Sequence, residues 1–283
     1  MFTWEHLLSG PRAPVMGVVN VTPDSFSDGG RFLDAGAALA HGLSLVADGA
    51  AVLDVGGEST RPGAEPVGAD EELRRIVPVV RRLVDELGTG ASSVPVSIDT
   101  TKAAVAAAAI DAGAVIVNDV SAGRNDPAMF AVVAESGTGF VAMHMLGAPR
   151  TMQARPRYDD VVGEVADFLV ERVSAARSAG IDAGALMADP GIGFGKRVEH
   201  NLELVARLPE LAARVGVPVL VGTSRKAFIG SVLGGSDPTQ RDDGTLATVT
   251  WALDHGAAMV RVHDVRAAAR AARLLHVMEE SAA

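Results

Sequence analysis

Eight short, uniformly apolar runs recur along the 283 residues, each followed by a helical pattern, and this alternation leaves few architectures open. The runs are Val15–Val19, Ala51–Val55, Val94–Ile98, Val115–Val117, Phe140–Met143, Leu186–Ala188, Pro218–Val221 and Met259–Val262. They do not alternate polar with apolar, as expected of parallel strands covered on both faces. Helices are expected between them, over roughly 34–48, 70–87, 101–112, 127–136, 160–179, 199–213, 242–255 and 265–278. Eight strand–helix units make an α/β fold, a single (β/α)8 (TIM) barrel over residues 1–283 with its active site at the C-terminal ends of the strands. An open doubly wound sheet would use fewer units, and the first strand–helix turn lacks a G-x-G-x-x-G pattern. Residues 1–13 form an N-terminal extension, Pro78 should kink or interrupt the second helix, and 147–158 and 230–243 are expected as loops.

Composition narrows the function classes. With 48% hydrophobic against 21% charged residues, the chain can bury a large core. A net charge of −10 argues against nucleic acid as a partner, because binding a phosphate backbone needs a basic face. A few cations in one pocket can still hold a small phosphorylated ligand. The lack of cysteine excludes disulfides, thiol catalysis and cysteine-ligated metals. No apolar run reaches the length of a membrane span, and MFTWEHLLSGPRAP lacks the basic start and apolar core of an export signal. A soluble, cytoplasmic protein with neither nucleic acid nor membrane as partner is expected.

In such a barrel, chemistry collects where the strands end. Those ends read, in order, Asn20; GGESTRPG from Gly56; Asp99-Thr100; Asn118-Asp119; His144; DPGIGFGK from Asp189; GTSRK from Gly222; and RVHD from Arg261. A barrel built only for stability has no reason to end almost every strand in an amide, a carboxylate or a cation. Asp99, Asn118, Asp189 and Lys226 form one set, able to read the edge of a flat heterocycle with amino, N–H and carbonyl groups. The competing structural reading is a buried ion-pair cluster of Lys226 with the aspartates. Met143 and Phe194 could give such a ring an apolar face, or simply pack in the core. Asn20, Arg261 and His263 form a second set, on strands one and eight, which become neighbours when the barrel closes; they suit phosphate or diphosphate. Asn20 could also place its carbonyl oxygen on Mg2+, which takes few protein ligands when phosphate supplies the rest. The remaining histidines, His6, His41, His200, His255 and His276, show no metal-ligand spacing and are expected to be solvated or capping, while His144 stays open between structure and function.

Seven runs, NVTPDSFSDGG (20–30), GGESTRPG (56–63), SIDT (97–100), NDVS (118–121), DPGIGFGK (189–196), GTSRKAFIG (222–230) and RVHDV (261–265), together resemble the dihydropteroate synthase family of pterin-binding proteins, in order and over nearly the whole chain. The resemblance implies joining of 6-hydroxymethyl-7,8-dihydropterin diphosphate to 4-aminobenzoate, with release of diphosphate and with Mg2+. By the family's pattern, Asp99, Asn118, Asp189 and Lys226 hold the pterin, beside Met143 and Phe194; Asn20, Arg261 and His263 hold the diphosphate and its metal. Phe26, Ser27, Asp28, Thr60, Arg61 and Pro62 would cover the aminobenzoate, with Ser224 and Lys226 beside it, and Thr22–Gly30 would act as a lid. Asp99, Asp189, Lys226 and Arg261 become the catalytic residues, because positive charge grows on the pterin and negative charge on the leaving group. The family is usually dimeric and is the target of sulfonamides. The alternatives are a pterin-binding methyltransferase, which needs no diphosphate site, and an inactive paralogue, which would have lost parts of the two loops.

Overall fold

Each apolar run forms a parallel strand, and four of them extend to take in the polar group that follows, at Asn20, Asp99, Asn118-Asp119 and Asp189. The strands are β1 (Val15–Asn20), β2 (Val52–Gly56), β3 (Val96–Asp99), β4 (Ile116–Asp119), β5 (Gly139–Met143), β6 (Leu186–Asp189), β7 (Leu220–Val221) and β8 (Met259–Val262). The structure, a computed structural model, describes residues 1–10, 12–22, 33–59, 63–90, 93–147, 150–234 and 237–282. The sheet runs β6-β5-β4-β3-β2-β1-β8-β7. A bridge between Ala188 and Val219, with the Ala188 amide donating to the Pro218 carbonyl at 2.9 Å, joins β6 to β7 and closes it. This is the expected (β/α)8 barrel.

The helices are α1 (Glu5–Leu8), α2 (Leu33–Ala47), α3 (Ala69–Leu87), α4 (Ala103–Asp111), α5 (Met129–Ser136), α6 (Val161–Ser178), α7 (Val198–Ala206), α8 (Leu208–Val215), α9 (Ala227–Leu233), α10 (Asp242–Asp254) and α11 (Val265–Ala282). Three expectations are corrected. Helix α3 continues through Pro78, because that residue faces solvent and the carbonyl it leaves unbonded can meet water. The single helix expected over 199–213 is two, broken at Arg207, with Pro209 in the first turn of α8 setting the new start. The 230–243 stretch is not all loop: α9 runs into it and ends at Gly234, a left-handed cap, and a 3-10 turn follows over Pro238–Arg241.

The barrel interior is divided by height. Its lower half is apolar, filled by Met16, Val52, Ile116, Val141, Met187, Leu220 and Met259. Trp4, 1% exposed, joins this cluster from below and donates its indole N–H to the Ala185 carbonyl at 2.9 Å. The N-terminal segment is therefore more than an extension: Trp4, with Phe2, Leu7 and Leu8, plugs the lower mouth. Two residues higher the interior turns polar on several strands, with Asp54 above Val52, Asn118 above Ile116, Asp189 above Met187 and Arg261 above Met259. The larger core lies outside the strands, between sheet and helices.

Replacing Trp4 by Ala should cost about 3–5 kcal/mol of stability, the range for emptying a large buried aromatic site; urea unfolding followed by circular dichroism measures it.

Candidate active site

The polar layer is organised by one guanidinium. Arg261, on β8, donates from Nε to Asp54 Oδ2 at 2.6 Å and from Nη2 to Asp99 Oδ2 at 2.9 Å. The same Asp54 oxygen accepts from Asn118 Nδ2 at 2.9 Å. Gly56, whose strand partners are Asn20 and Asp99, puts no side chain between them: a Cβ there would stand 3.8 Å from Asp99 Oδ2 and 3.9 Å from Asn20 Oδ1. Burial opposes the charge on Arg261, but Asp54 and Asp99 hold its pKa above the usual value. Asp99 is pushed up to about 7, first by burial. Its ion pair with Arg261 lowers it only in part, because Asp54 competes for the same guanidinium and repels a second negative charge.

Asp189, at the end of β6, is 6% exposed and accepts from the Gly191 amide at 2.7 Å; burial still raises its pKa. Lys226 brings its ammonium over the Phe194 ring, 4.0 Å from the centroid. Burial first, then repulsion from Arg261, pulls it down to about 8. Among the described residues no carboxylate comes within 4.0 Å of it, so the buried ion-pair reading for Lys226 fails. Asp54 and Asp99 have instead paired with Arg261, which the sequence had placed with the anion set; the guanidinium joins the two sets. Phe194 and Met143 pack together with Val120, Met145 and Met152 on the β4–β6 side of the pocket.

Backbone geometry aims the loops. In the stretch 189–196, Gly191, Gly193 and Gly195 all take positive φ, and a Cβ on Gly191 would stand 1.8 Å from the His144 carbonyl oxygen. The alternation turns the loop back under the pocket. Lys196, 3% exposed, fastens it from within: its Nζ lies 2.8 Å from His144 Nδ1 and donates to the carbonyls of Gly191 at 3.0 Å and Phe194 at 3.1 Å. Burial pulls Lys196 down to about 7 and, with Lys196 and Arg124 nearby, His144 down to about 2. Either form of the amine satisfies this trio: an ammonium donates to the neutral imidazole, and an amine accepts from it. His144 is thus structural. The 147–158 stretch braces the same loop from outside, through Gln153 Nε2 to the Gly193 carbonyl at 2.6 Å and the Tyr158 hydroxyl to the Gly195 carbonyl at 2.8 Å.

After β7, Arg225 also has positive φ, at 57°, and its guanidinium grips Asp242 of α10 at 2.8 and 2.9 Å. That turn lets its neighbours Ser224 and Lys226 face the site. Ser224 Oγ lies 2.9 Å from His263 Nδ1, which places these two side by side where the sequence had assigned them to different substrates. On the β2 side, Lys102 bonds both Glu58 and the fully buried Glu72, the latter at 2.6 Å, and Arg75 donates to the Gly57 carbonyl at 2.9 Å. Phe26, Ser27, Asp28, Thr60, Arg61 and Pro62 lie outside the described residues, as does all of the Thr22–Gly30 lid beyond Thr22. His200 caps α7, its Nδ1 accepting from the Arg197 amide at 3.2 Å, and His255 stacks on Trp251 with centroids 3.8 Å apart. Sequence reasoning missed Asp54 and Lys196. A lone charge within the apolar run AVLDVGG was the available signal for the first.

The sequence pattern of the pterin-binding enzyme family matches residues 16–263. The dihydropteroate synthase of Mycobacterium leprae is 52% identical over 268 residues, 92% of each chain. A structure of the Xanthomonas albilineans dihydropteroate synthase with 4-aminobenzoic acid superposes with a TM-score of 0.87 at 49% identity, covering 95% of this chain and 93% of that one. The Yersinia pestis dihydropteroate synthase in a sulfonamide drug complex gives 0.88 at 41%, covering 96% of each.

Arg261→Ala should leave Asp54 and Asp99 buried without their cation and cost about 3–5 kcal/mol of folding free energy. Lys226→Ala, which breaks no ion pair, should cost less; parallel urea titrations compare the two.

Proposed function

The chain belongs to the family of pterin-binding enzymes, and we propose that its pocket carries out the dihydropteroate synthase reaction, joining 6-hydroxymethyl-7,8-dihydropterin diphosphate to 4-aminobenzoate to give 7,8-dihydropteroate and diphosphate. The observation that carries this reading is the meeting, around Arg261, of a heterocycle-reading set with an anion-binding set. Asp99, Asn118 and Asp189 offer acceptors to the edge of a ring, and Lys226, a donor, stands with Phe194 beside it. Asn20, Arg261 and His263 border the same space on the β1–β8 side, where the diphosphate belongs.

In the reaction, the bond between the methylene carbon and the diphosphate oxygen breaks, and its electron pair leaves with the diphosphate. The methylene cation is conjugated with the pterin ring, and ionised Asp99 and Asp189 stabilise it, while Arg261 stabilises the leaving anion. The aromatic amine then forms the new C–N bond and gives up a proton. A neutral amine needs no strong base, and its proton can pass to solvent. The enzyme is thereby a transferase of the pterinylmethyl group. By the family's pattern, Ser224 and Lys226 serve the second substrate, and the same pattern assigns Phe26, Ser27, Asp28, Thr60, Arg61 and Pro62 to it.

Asn20 fits a hard cation: its amide oxygen reaches into the space above Gly56, and Asp99 stands alongside. Among the described residues no group of three or more carboxylates or imidazoles could hold a metal alone, so a Mg2+ here would share Asn20 with diphosphate and water. When bound, it would neutralise charge on the departing diphosphate. The family resemblance further supports a cytoplasmic location and a homodimer, the latter tested by sedimentation at micromolar concentration.

Purified protein with both substrates and Mg2+ should form dihydropteroate, and EDTA should stop it; absence of product would reject the assignment. A sulfonamide should compete with 4-aminobenzoate and not with the pterin substrate. Because Asp99 gains a proton as pH falls through about 7, and so loses the charge that stabilises the cation, kcat/KM for the pterin substrate should fall below that pH. Asp99→Asn should abolish this acid limb.

A further inference from the structure

We propose that Asp54 is a positioning residue that fixes which face of its amide Asn118 turns to the ligand, and so makes the site select a ring with an exocyclic amino group; the proposal rests on the synthase reading above. Asp54 is 0% exposed and lies within β2, one inward-facing position below Gly56. Gly56 pairs with Asp99, and Asp99 with Asn118, so Asp54 sits beneath the pocket floor, where a ligand need not touch it.

Its Oδ2 accepts from Arg261 Nε at 2.6 Å and from Asn118 Nδ2 at 2.9 Å. Oδ1 is buried with no partner among the described residues, so the two groups that Oδ2 orients account for the side chain's hydrogen bonds there. An oxygen that accepts from a guanidinium N–H must accept again from its next neighbour. Asn118 therefore has to present its NH2 to Asp54. Without that constraint the amide could turn over, since its two ends have nearly the same shape. With the NH2 committed, the carbonyl oxygen is left for the pocket, and among the described residues no donor reaches it. The site then takes a ring donor at this point and rejects a ring oxygen, which would face another oxygen across a buried contact. The same Asp54 oxygen aims Arg261, because fixing Nε below and Nη2 on Asp99 leaves Nη1 to meet an anion.

The test compares dissociation constants for 6-hydroxymethylpterin and for 6-hydroxymethyllumazine, in which an oxo group replaces the 2-amino group, by calorimetry. The wild-type protein should prefer the pterin by roughly tenfold or more. Asp54→Leu, shown to be folded by circular dichroism, should bring the ratio towards one. Asp54→Asn, whose side-chain oxygen can take the place of Oδ2, should retain most of the preference. A wild-type ratio in Asp54→Leu, or an equal loss in Asp54→Asn and Asp54→Leu, overturns the proposal. Should Asp54→Leu not fold, Asn118→Ala decides: collapse of the ratio there, with retention in Asp54→Asn, supports the proposal, and a wild-type ratio in Asn118→Ala overturns it. Wild-type protein that binds neither ring overturns the synthase reading itself, whereas pterin binding without preference overturns only the inference.

Discussion

A guanidinium shared between two buried carboxylates is the interaction on which the upper half of this barrel depends. Arg261 comes from β8, and Asp54 and Asp99 come from β2 and β3, with β1 lying between. The network therefore crosses the barrel instead of running along one pair of strands, and it can form only when the sheet has curled. Removing charges from water is unfavourable by several kcal/mol per ion. A barrel selected for stability alone would fill this layer as it fills the lower one, with Met, Val and Leu. That it keeps three carboxylates and two cations here marks the upper layer as the place where stability is given up for binding. The raised pKa of Asp99 and the lowered pKa of Lys226 express that same cost at two residues.

The 189–196 loop shows a different solution. It carries only one charged group towards the pocket, Asp189, yet it is held from several sides: by Lys196 from inside, by Gln153 and Tyr158 from outside, and by Asn201 of α7, which accepts from the Gly193 amide at 2.7 Å. The backbone conformation that only glycine adopts easily explains why three glycines are interleaved with larger residues. The bracing explains how a loop can act as part of a rigid floor.

Much of this was legible in the sequence, for physical reasons. Parallel strands covered on both faces leave continuous apolar runs, so all eight were visible, and a polar residue closing such a run has to be explained, which marked Asn20, Asp99, Asn118 and Asp189. Asp54 escaped because it lies inside its strand, between Leu53 and Val55, and attention to strand ends passes over it. The pairing of Lys196 with His144 spans 52 residues and has no spacing signature. The meeting of Ser224 with His263 and the turning of Arg261 towards Asp54 depend on side-chain directions across the closed barrel, which residue type alone does not encode. The break at Arg207 could have been read from Pro209. The plug formed by Trp4 could not, since a single aromatic in an N-terminal tail says nothing about where it docks.

That plug bears on the order in which the molecule is completed. Trp4 gives its indole N–H to the carbonyl of Ala185, 181 residues further along, and the Phe2 amide bonds to Gly137. On a ribosome Phe2 and Trp4 emerge long before either acceptor exists. Trp4 has to wait until the chain has been made as far as Ala185, and until then the apolar floor under the charged layer has no cover from below. In time, a segment made before its acceptors is one of the late closures.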